Sequence, residues 1–152
     1  MLRPLLLSDY YLGYLDLLKQ LSKVKQNISF NDFKSKWFEI SNNKNHKIYV
    51  FRKDNKIVGS GTILFESKFI RNFEYAAHIE DIVVLEEYRG KGIASLIINK
   101  LKEEAFNKKC YRVTLNCQLN KKEFYEKFNF ELKSNCMRID ISTPFNKKIY
   151  NI

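Results

Sequence analysis

The sequence predicts an α+β or α/β fold in which helices cover the faces of one β-sheet. Two observations support this: the apolar pattern changes from a three-to-four-residue spacing to β-rich runs, and the elements follow in the order α-α-β-β-β-α-β-α-β. A chain of 152 residues without internal repeats or Pro/Gly/Ser-rich linkers is expected to form one domain. We place this domain at residues 1–142, followed by a polar tail at residues 143–152.

Two helices are predicted before the sheet. The first is expected to begin after a cap at Ser8, and the second is expected to begin near Ser29. Their apolar positions recur at helical spacing: Tyr11, Tyr14, Leu15, Leu18 and Leu21 in the first, and Phe30, Phe33, Trp37 and Phe38 in the second.

The middle of the chain has the pattern of a β-hairpin. The β-rich runs at residues 48–51 and 57–65 flank a turn-like cluster at residues 53–56. Further strands are predicted at residues 76–85, 111–117 and 131–141. A helix with Ile93, Ile97, Leu101 and Ala105 on one face lies between the first two of these strands, and a short helix is expected at residues 121–128.

Charge and composition restrict the class of protein. The net charge of +10 suits an anionic partner, although lysines on an ordinary solvated surface explain it equally well. No run of about 18 apolar residues is found, and the start of the chain lacks the features of a signal peptide, so a cytoplasmic protein without membrane insertion is expected. The cysteines, Cys110, Cys117 and Cys136, are odd in number and lack metal-ligand spacing, so neither a disulfide framework nor a metal site is expected.

A glycine-containing loop links a predicted strand to a predicted helix. It reads Arg89, Gly90, Lys91, Gly92, Ile93 and Ala94. A helix start presents unpaired N–H groups and the positive end of the dipole, which suit phosphate, and glycine allows close approach of a ligand. The loop lacks the Lys-Ser/Thr end of a P-loop and the third glycine of a dinucleotide fingerprint. The alternative is a plain strand-to-helix turn.

Two carboxylates interrupt the strand before this loop. Glu80 and Asp81 are costly to bury, so they are expected to face a cleft or a cationic partner. Strand alternation predicts one face with His78, Glu80, Ile82 and Val84, and the other with Ile79, Asp81 and Val83. The alternative is an edge strand with two exposed acids.

A tyrosine near the end of the chain is a further candidate. Phe124 and Phe128 are four residues apart and are predicted to lie in the core, which points Tyr125 elsewhere. Its phenol is able to donate a hydrogen bond into a cleft. The alternative is an ordinary half-buried tyrosine.

The order of strand, Arg-Gly-Lys-Gly-Ile-Ala loop, helix, strand and Phe-Tyr-Glu-Lys helix resembles the GCN5-related N-acetyltransferases (GNAT). Within that superfamily, several stretches look like the eukaryotic glucosamine-6-phosphate N-acetyltransferases. These stretches are residues 3–5, 65–70, 78–84, 110–112, 115–117 and 124–128. The resemblance implies a mixed, mostly antiparallel sheet with a splayed central strand pair.

The resemblance also implies the cofactor and the residues that hold it. Acetyl-CoA is the expected co-substrate, with no metal. Backbone groups of Ile82, Val83 and Val84 match those that hold the pantetheine arm. The loop Arg89, Gly90, Lys91, Gly92, Ile93 and Ala94 matches the pyrophosphate-binding loop. Asn116 and Tyr125 match cofactor contacts, and Tyr125 also matches a catalytic tyrosine beside the leaving thiolate.

The implied acceptor is the amine of D-glucosamine 6-phosphate, acetylated directly in a ternary complex on the route to UDP-N-acetylglucosamine. Glu80 and Asp81 match catalytic residues that line the sugar site. The other implied substrate contacts are Lys68, Phe69, Ile70, Arg71, Lys109 and Cys110. The resemblance further implies a homodimer in which the last strand packs against the partner, with the sugar site near the interface.

The chain departs from the family at several positions, including residues 21–24, which replace a threonine-rich stretch, and a C-terminal Arg for which Arg138 is the candidate. Asn116 replaces the usual Asp, Lys121 replaces an Asn, and Asn129 replaces a Gly, although Asn tolerates the left-handed backbone. Two other functions stay open at this point. One is acetylation of another small amine or a protein amine, and the other is a basic nucleic-acid-binding module. The second is disfavoured because the aromatic residues fall at core-like spacing.

Overall fold

The computed structural model describes residues 1–133 and 136–138. The chain divides into two compact units, Met1–Cys117 and Gln118–Ile152. The predicted domain boundary at residue 142 and the predicted polar tail at residues 143–152 lie outside the described residues and stay predictions. Within the described part of the chain, no helix is long and apolar enough to cross a membrane.

The first unit contains one five-stranded sheet. Its strands, in both chain and spatial order, are β1 (Leu2–Pro4), β2 (His46–Lys53), β3 (Lys56–Ser67), β4 (Tyr75–Val84) and β5 (Cys110–Leu115). The first three pairings are antiparallel and the β4–β5 pairing is parallel, which confirms the predicted mixed, mostly antiparallel sheet. A parallel pair needs a crossover, and the helix α3 (Ile93–Asn107) provides it.

The predicted hairpin is formed by β2 and β3. Its turn residues, Asp54 and Asn55, have φ angles of 47° and 60°. Two consecutive left-handed residues are the geometry of a type I′ turn, which matches the right-handed twist of the flanking strands. The Asp-Asn pair therefore sets the register of β2 against β3.

The first predicted helix is interrupted. A 3₁₀ helix spans Leu7–Leu12 and ends at Gly13, whose φ of 80° separates it from α1 (Tyr14–Leu18). The interruption shifts the buried face, so Tyr11 is 70% exposed whereas Leu17 is buried. The predicted Ser8 cap is also wrong, because the carboxylate of Asp9 accepts the N–H of Leu6 at 2.8 Å.

The strand β1 was not predicted from the sequence. It is held by Arg3, whose guanidinium donates two hydrogen bonds of 2.7 Å to the fully buried carboxylate of Asp9. A bidentate pair of this kind fixes both position and orientation. The short strand therefore depends on a contact with the 3₁₀ helix as well as on its pairing with β2.

The helix α2 (Phe30–Ser41) confirms the second prediction. Its N-cap is Ser29, whose hydroxyl accepts the N–H of Asp32 at 3.1 Å while the carboxylate of Asp32 accepts the N–H of Ser29. This reciprocal pair is a capping box.

The predicted apolar face of α3 is likewise buried against the sheet. The helix packs closely because β3 carries Gly61 beneath it. A Cβ on Gly61 would lie 2.6 Å from both Ile82 and Ile97, so only glycine fits between the sheet and α3.

The second unit contains a 3₁₀ helix at Leu119–Lys121 and α4 (Lys122–Glu126). The rings of Phe124 and Phe128 lie 5.3 Å apart, and both side chains are half-buried. Asn129 has a φ of 65°, as expected for a residue that replaces glycine. Of the strand predicted at residues 131–141, the described residues 131–133 and 136–138 are not in a strand, and the others lie outside the described residues.

Candidate active site

The strand β4 contains a bulge at its two carboxylates. Glu80 pairs with Thr62 and Val83 pairs with Ser60, so two residues of β4 face the single Gly61 of β3. One of them, Asp81, has a φ of 54°, in the left-handed region. A bulge inserts one residue into a ladder and shifts the alternation of the side chains that follow.

The bulge corrects the predicted faces of β4. Ile82 lies against the position of a Cβ on Gly61, so its side chain faces α3, and Val84 shares that face by alternation. Glu80 precedes the bulge and faces the opposite side. The prediction that Glu80, Ile82 and Val84 share a face is therefore wrong, because it assumed an uninterrupted period of two.

Both carboxylates of the bulge are exposed. Among residues 1–133 and 136–138, neither Glu80 nor Asp81 forms an ion pair or a side-chain hydrogen bond. Burial, together with the charge of Asp81, raises the pKa of Tyr14 in α1 to about 12. The carboxylates are therefore accessible and uncompensated, as expected for groups that meet a cationic or hydroxyl-bearing ligand.

The strands β4 and β5 separate beside the bulge. Their parallel ladder ends at Ile79 and Leu115, whereas β4 continues to Val84. Leu85 donates its N–H to the carbonyl of Val58 on β3 at 2.9 Å, so alternation turns the backbone groups of Val84 toward the side where β5 has ended. This confirms the predicted splayed pair and leaves backbone groups of β4 without a strand partner on that side.

The glycine loop follows directly. After a 3₁₀ helix at Glu86–Tyr88, Gly90 and Gly92 have φ angles of 72° and 76°. Gly92 is the N-cap of α3, and no side chain caps the first turn. The N–H groups at the start of this 15-residue helix therefore face outward with the positive end of the dipole, which is a suitable geometry for an anion.

The basic side chains of the loop are turned back onto the protein. Arg89 donates from Nε to the carbonyl of Val84 and from Nη2 to Oε1 of Gln20, both at 3.2 Å. Lys91 donates from Nζ to the carbonyl of Glu87 at 2.8 Å. These side chains brace the loop, so its backbone N–H groups from Gly90 to Ala94 are what it presents to an anion.

The predicted substrate-binding residues form two groups, which lie at different positions along the direction of β4. Lys68, Phe69, Ile70 and Arg71 occupy the loop between β3 and β4, and Lys109 and Cys110 lie at the adjacent start of β5, where Cys110 pairs with Tyr75. Glu80 lies five residues further along β4, roughly 16 Å at 3.3 Å per residue. The structure therefore brings the loop and β5 residues together and separates them from the bulge.

Several of these loop residues are exposed. Phe69 is 90% exposed, and its ring meets that of Phe73 at 6.2 Å. The guanidinium of Arg71 lies 5.8 Å from the ring centre of Tyr111 on β5. Lys68 forms an ion pair with Glu66. Glu66 lies in the stretch 65–70 that carries the family resemblance, but its ion pair with Lys68 was not predicted from the sequence.

The remaining predicted residues are Cys110, Asn116 and Tyr125. Burial raises the pKa of the Cys110 thiol, which disfavours the thiolate. Asn116 is exposed and directly follows β5. In the second unit, Tyr125 is half-buried between the rings of Phe124 and Phe130, at 5.0 and 6.2 Å. Within the described residues, no group of His, Cys, Asp and Glu could hold a metal ion.

Comparison with known proteins identifies the family. The model of the acetyltransferase (GNAT) family matches residues 10–130. The chain belongs to this family. It is therefore an acyltransferase by sequence and by fold, and enzymes of the family use acetyl-CoA.

Two relatives and two solved structures are similar over most of the chain. Glucosamine 6-phosphate N-acetyltransferase 1 of Dictyostelium discoideum is 37% identical over 93% of this chain and 91% of its own length, and the Arabidopsis thaliana enzyme is 35% identical over 88% and 91%. The crystal structure of glucosamine-6-phosphate N-acetyltransferase from Arabidopsis thaliana has a TM-score of 0.89 at 34% identity, covering 93% and 97%. An acetyltransferase from Trypanosoma brucei has a TM-score of 0.86 at 31% identity, covering 93% and 99%.

Proposed function

We propose that this enzyme transfers the acetyl group of acetyl-CoA to the amine of D-glucosamine 6-phosphate, giving N-acetyl-D-glucosamine 6-phosphate and CoA. The observation that carries the acceptor is the similarity, over nearly the whole length of both chains, to relatives named for this reaction. The product is a precursor of UDP-N-acetylglucosamine. A cytoplasmic location is part of the same proposal.

The cofactor is held mainly by backbone groups. Within Ile82 to Val84, the backbone N–H and C=O groups that neither β3 nor Arg89 engages bind the amides of the pantetheine arm. The N–H groups of Gly90 to Ala94 receive the pyrophosphate at the start of α3. Arg89 connects the two regions, because it belongs to the glycine loop and its guanidinium donates a hydrogen bond to the carbonyl of Val84 on β4. Asn116 directly follows the end of β5, where the separation between β4 and β5 begins.

The acceptor amine meets the carboxylates of the bulge. An amine must be neutral to attack a thioester, and Glu80 or Asp81 accepts its proton directly or through water. The amine nitrogen bonds to the acetyl carbon while the C–S bond breaks. A backbone N–H of the splayed strand stabilises the oxyanion, and the phenol of Tyr125 donates a hydrogen bond to the leaving thiolate. Holding both substrates side by side supplies much of the rate.

The transfer is direct, within a ternary complex. Cys110 is one of the residues proposed to contact the sugar, and its raised pKa keeps the thiol protonated. A protonated thiol is a poor nucleophile. No acetyl-enzyme is therefore expected to form when acetyl-CoA is added without an acceptor.

A homodimer is part of the proposal. The residues from Lys68 to Arg71, with Lys109 and Cys110, lie some way along β4 from Glu80 within one chain. They also include Phe69 and Ile70, which are large apolar side chains exposed to solvent. A sugar site near an interface between two chains accounts for both the separation within one chain and the exposed apolar side chains.

The test measures release of free CoA with a panel of amines: glucosamine 6-phosphate, glucosamine, a polyamine and a peptide. We expect the highest kcat/KM with glucosamine 6-phosphate. Glu80→Gln should lower turnover, whereas Glu39→Gln, an exposed carboxylate on α2, should leave it unchanged. Turnover of the peptide with neither sugar would contradict the proposed acceptor while leaving acetyl transfer intact.

A further inference from the structure

A series of hydrogen bonds crosses three strands and ends at Lys68, in the segment 68–71 that is proposed to bind the phosphorylated sugar. Thr114 on β5 has its Oγ1 2.8 Å from Nδ1 of His78 on β4. The other ring nitrogen, Nε2, lies 3.1 Å from Oε2 of Glu66 on β3. The second oxygen of Glu66 forms the ion pair with Lys68. Lys68 is the first of the residues proposed to meet the sugar phosphate.

The chemistry of these groups determines which atoms donate a hydrogen and which accept one. Hydrogen bonds from Lys68, and then from His78, lower the pKa of Glu66, so at neutral pH its carboxylate only accepts. Nε2 of His78 must therefore carry a hydrogen and donate it to Glu66. In the neutral ring Nδ1 is then an acceptor, and Thr114 donates its hydroxyl hydrogen to it at the shorter of its two contacts.

Glu66 thus has two donors, of which only one belongs to the proposed substrate site. In the proposed scheme, Lys68 turns from Glu66 toward the phosphate when the substrate binds. Without the hydrogen bond from His78, the carboxylate would then be unpaired close to a second anion, which is unfavourable by both lost hydrogen bonding and like-charge repulsion. His78 remains bonded to Glu66 and keeps it partly compensated.

We infer that His78 is a positioning residue for recognition of the sugar phosphate: it holds Glu66 so that Lys68 can exchange this carboxylate for the phosphate of the substrate. This inference rests on the proposed function. Thr114 fixes the ring so that Nε2 points at Glu66. Neither His78 nor Glu66 touches the reacting atoms in this scheme.

The experiment compares two amide replacements of His78. The amide of Gln reaches about as far as Nε2 and keeps a donor for Glu66, whereas the shorter Asn reaches only the position of Nδ1 and meets Thr114. We expect His78→Asn to raise the KM for glucosamine 6-phosphate about tenfold, the effect of losing one charge-assisted hydrogen bond at a half-exposed site. His78→Gln should stay within about twofold of the wild type.

Further measurements separate recognition of the phosphate from a general defect. The kcat and the KM for acetyl-CoA should be unchanged in His78→Asn, and so should kcat/KM for glucosamine, which has no phosphate. The inhibition constant of glucose 6-phosphate, which has the phosphate but no amine, should rise with the KM. Adding Glu66→Gln to His78→Asn should recover most of the loss, because the uncompensated carboxylate is gone. His46→Asn, on β2, is the matched control.

Three outcomes would overturn the inference. One is an equal loss in His78→Gln and His78→Asn, which would indicate a packing role. The second is an equal loss with glucosamine and glucosamine 6-phosphate. The third is no recovery in the double variant, provided that its thermal unfolding matches that of His78→Asn. If the wild type instead acetylates neither sugar, the proposed acceptor itself is wrong, and the inference falls with it.

Discussion

Replacement of Glu104 on α3 is expected to lower the stability of the protein. Its side chain is 10% exposed and accepts hydrogen bonds from Lys47 at 2.6 Å and Tyr49 at 2.7 Å, both on β2. Lys100 forms an ion pair with it at 3.0 Å. This cluster fastens the crossover helix to the sheet beneath it. We predict that Glu104→Gln, which keeps the shape and removes the charge, lowers the free energy of unfolding.

The magnitude follows from the pKa of Glu104. Burial alone raises it, but the hydrogen bonds from Lys47, Tyr49 and Lys100 outweigh burial and lower it from an ordinary 4.5 to about 2. That difference corresponds to about 3 kcal/mol of stability at pH 7. Because Gln retains an acceptor for Tyr49, we expect a loss of about 2 to 3 kcal/mol.

The assay is urea unfolding of both proteins at pH 7, 4 and 3. The pKa is lower in the folded than in the unfolded state, so the stabilisation is complete above about pH 4.5 and is lost as the pH falls toward 2. The difference in unfolding free energy between wild type and Glu104→Gln should therefore narrow from pH 7 to pH 3.

The control is Glu103→Gln, at the neighbouring position. Its side chain is 58% exposed and pairs only with Lys100, at 3.0 Å, among its contacts in residues 1–133 and 136–138. Exposed pairs contribute less than about 1 kcal/mol, so this variant should change stability little at any of the three pH values. An unchanged gap between pH 7 and pH 3, or an equal loss in Glu103→Gln, would refute the reasoning.

Two further predictions concern packing and catalysis. Gly61→Ala should lower stability by about 1 to 3 kcal/mol, measured as a lower Tm, because its methyl would lie 2.6 Å from Ile82 and Ile97; an unchanged Tm would show that α3 yields without strain. Tyr125→Phe should lower kcat and leave the KM for acetyl-CoA nearly unchanged, because the phenol acts on the thiolate that forms during transfer. A large loss of cofactor affinity with normal turnover would contradict that role.

Elements fixed by local patterns were predictable from the sequence. The helix α2 begins directly after its N-cap Ser29, a residue with a capping side chain that precedes the aromatic positions, and α3 buries the face that its spacing indicates. The hairpin turn at Asp54 and Asn55 was expected from its polar cluster. In each case the signal lies within a few residues of the structure that it specifies.

Single residues with a left-handed backbone conformation interrupt the periodic apolar patterns from which the elements were predicted. Gly13 breaks the first helix, and Asp81 inserts a bulge into β4; each shifts the phase of every residue that follows in its element. Glycine commonly adopts such a conformation, so Gly13 carried a usable signal. Asp81 carried no such signal, because a carboxylate in an apolar strand indicates a functional site more readily than it indicates a bulge.

The candidate site was only partly accessible to sequence reasoning. The loop from Arg89 to Ala94 and the acids Glu80 and Asp81 stand out by their type and position. The contacts from Thr114 through His78 to Glu66 do not, because they join three strands that are far apart in the chain. Sheet order and register determine those contacts, and neither can be derived from any one segment.

The bulge in β4 also determines where the chain tolerates a change in length. Removing one residue between Glu80 and Val83 would restore regular pairing with β3 while Val84, opposite Gly59, stays on the face of α3. The deletion would instead remove the extra residue of the bulge, and with it the arrangement that exposes two adjacent carboxylates, Glu80 and Asp81. An extra residue at Asp54–Asn55 would be absorbed by the turn, which is remote from α3. Among members of the family, insertions and deletions should therefore accumulate at the hairpin turn and be excluded from the two residues opposite Gly61.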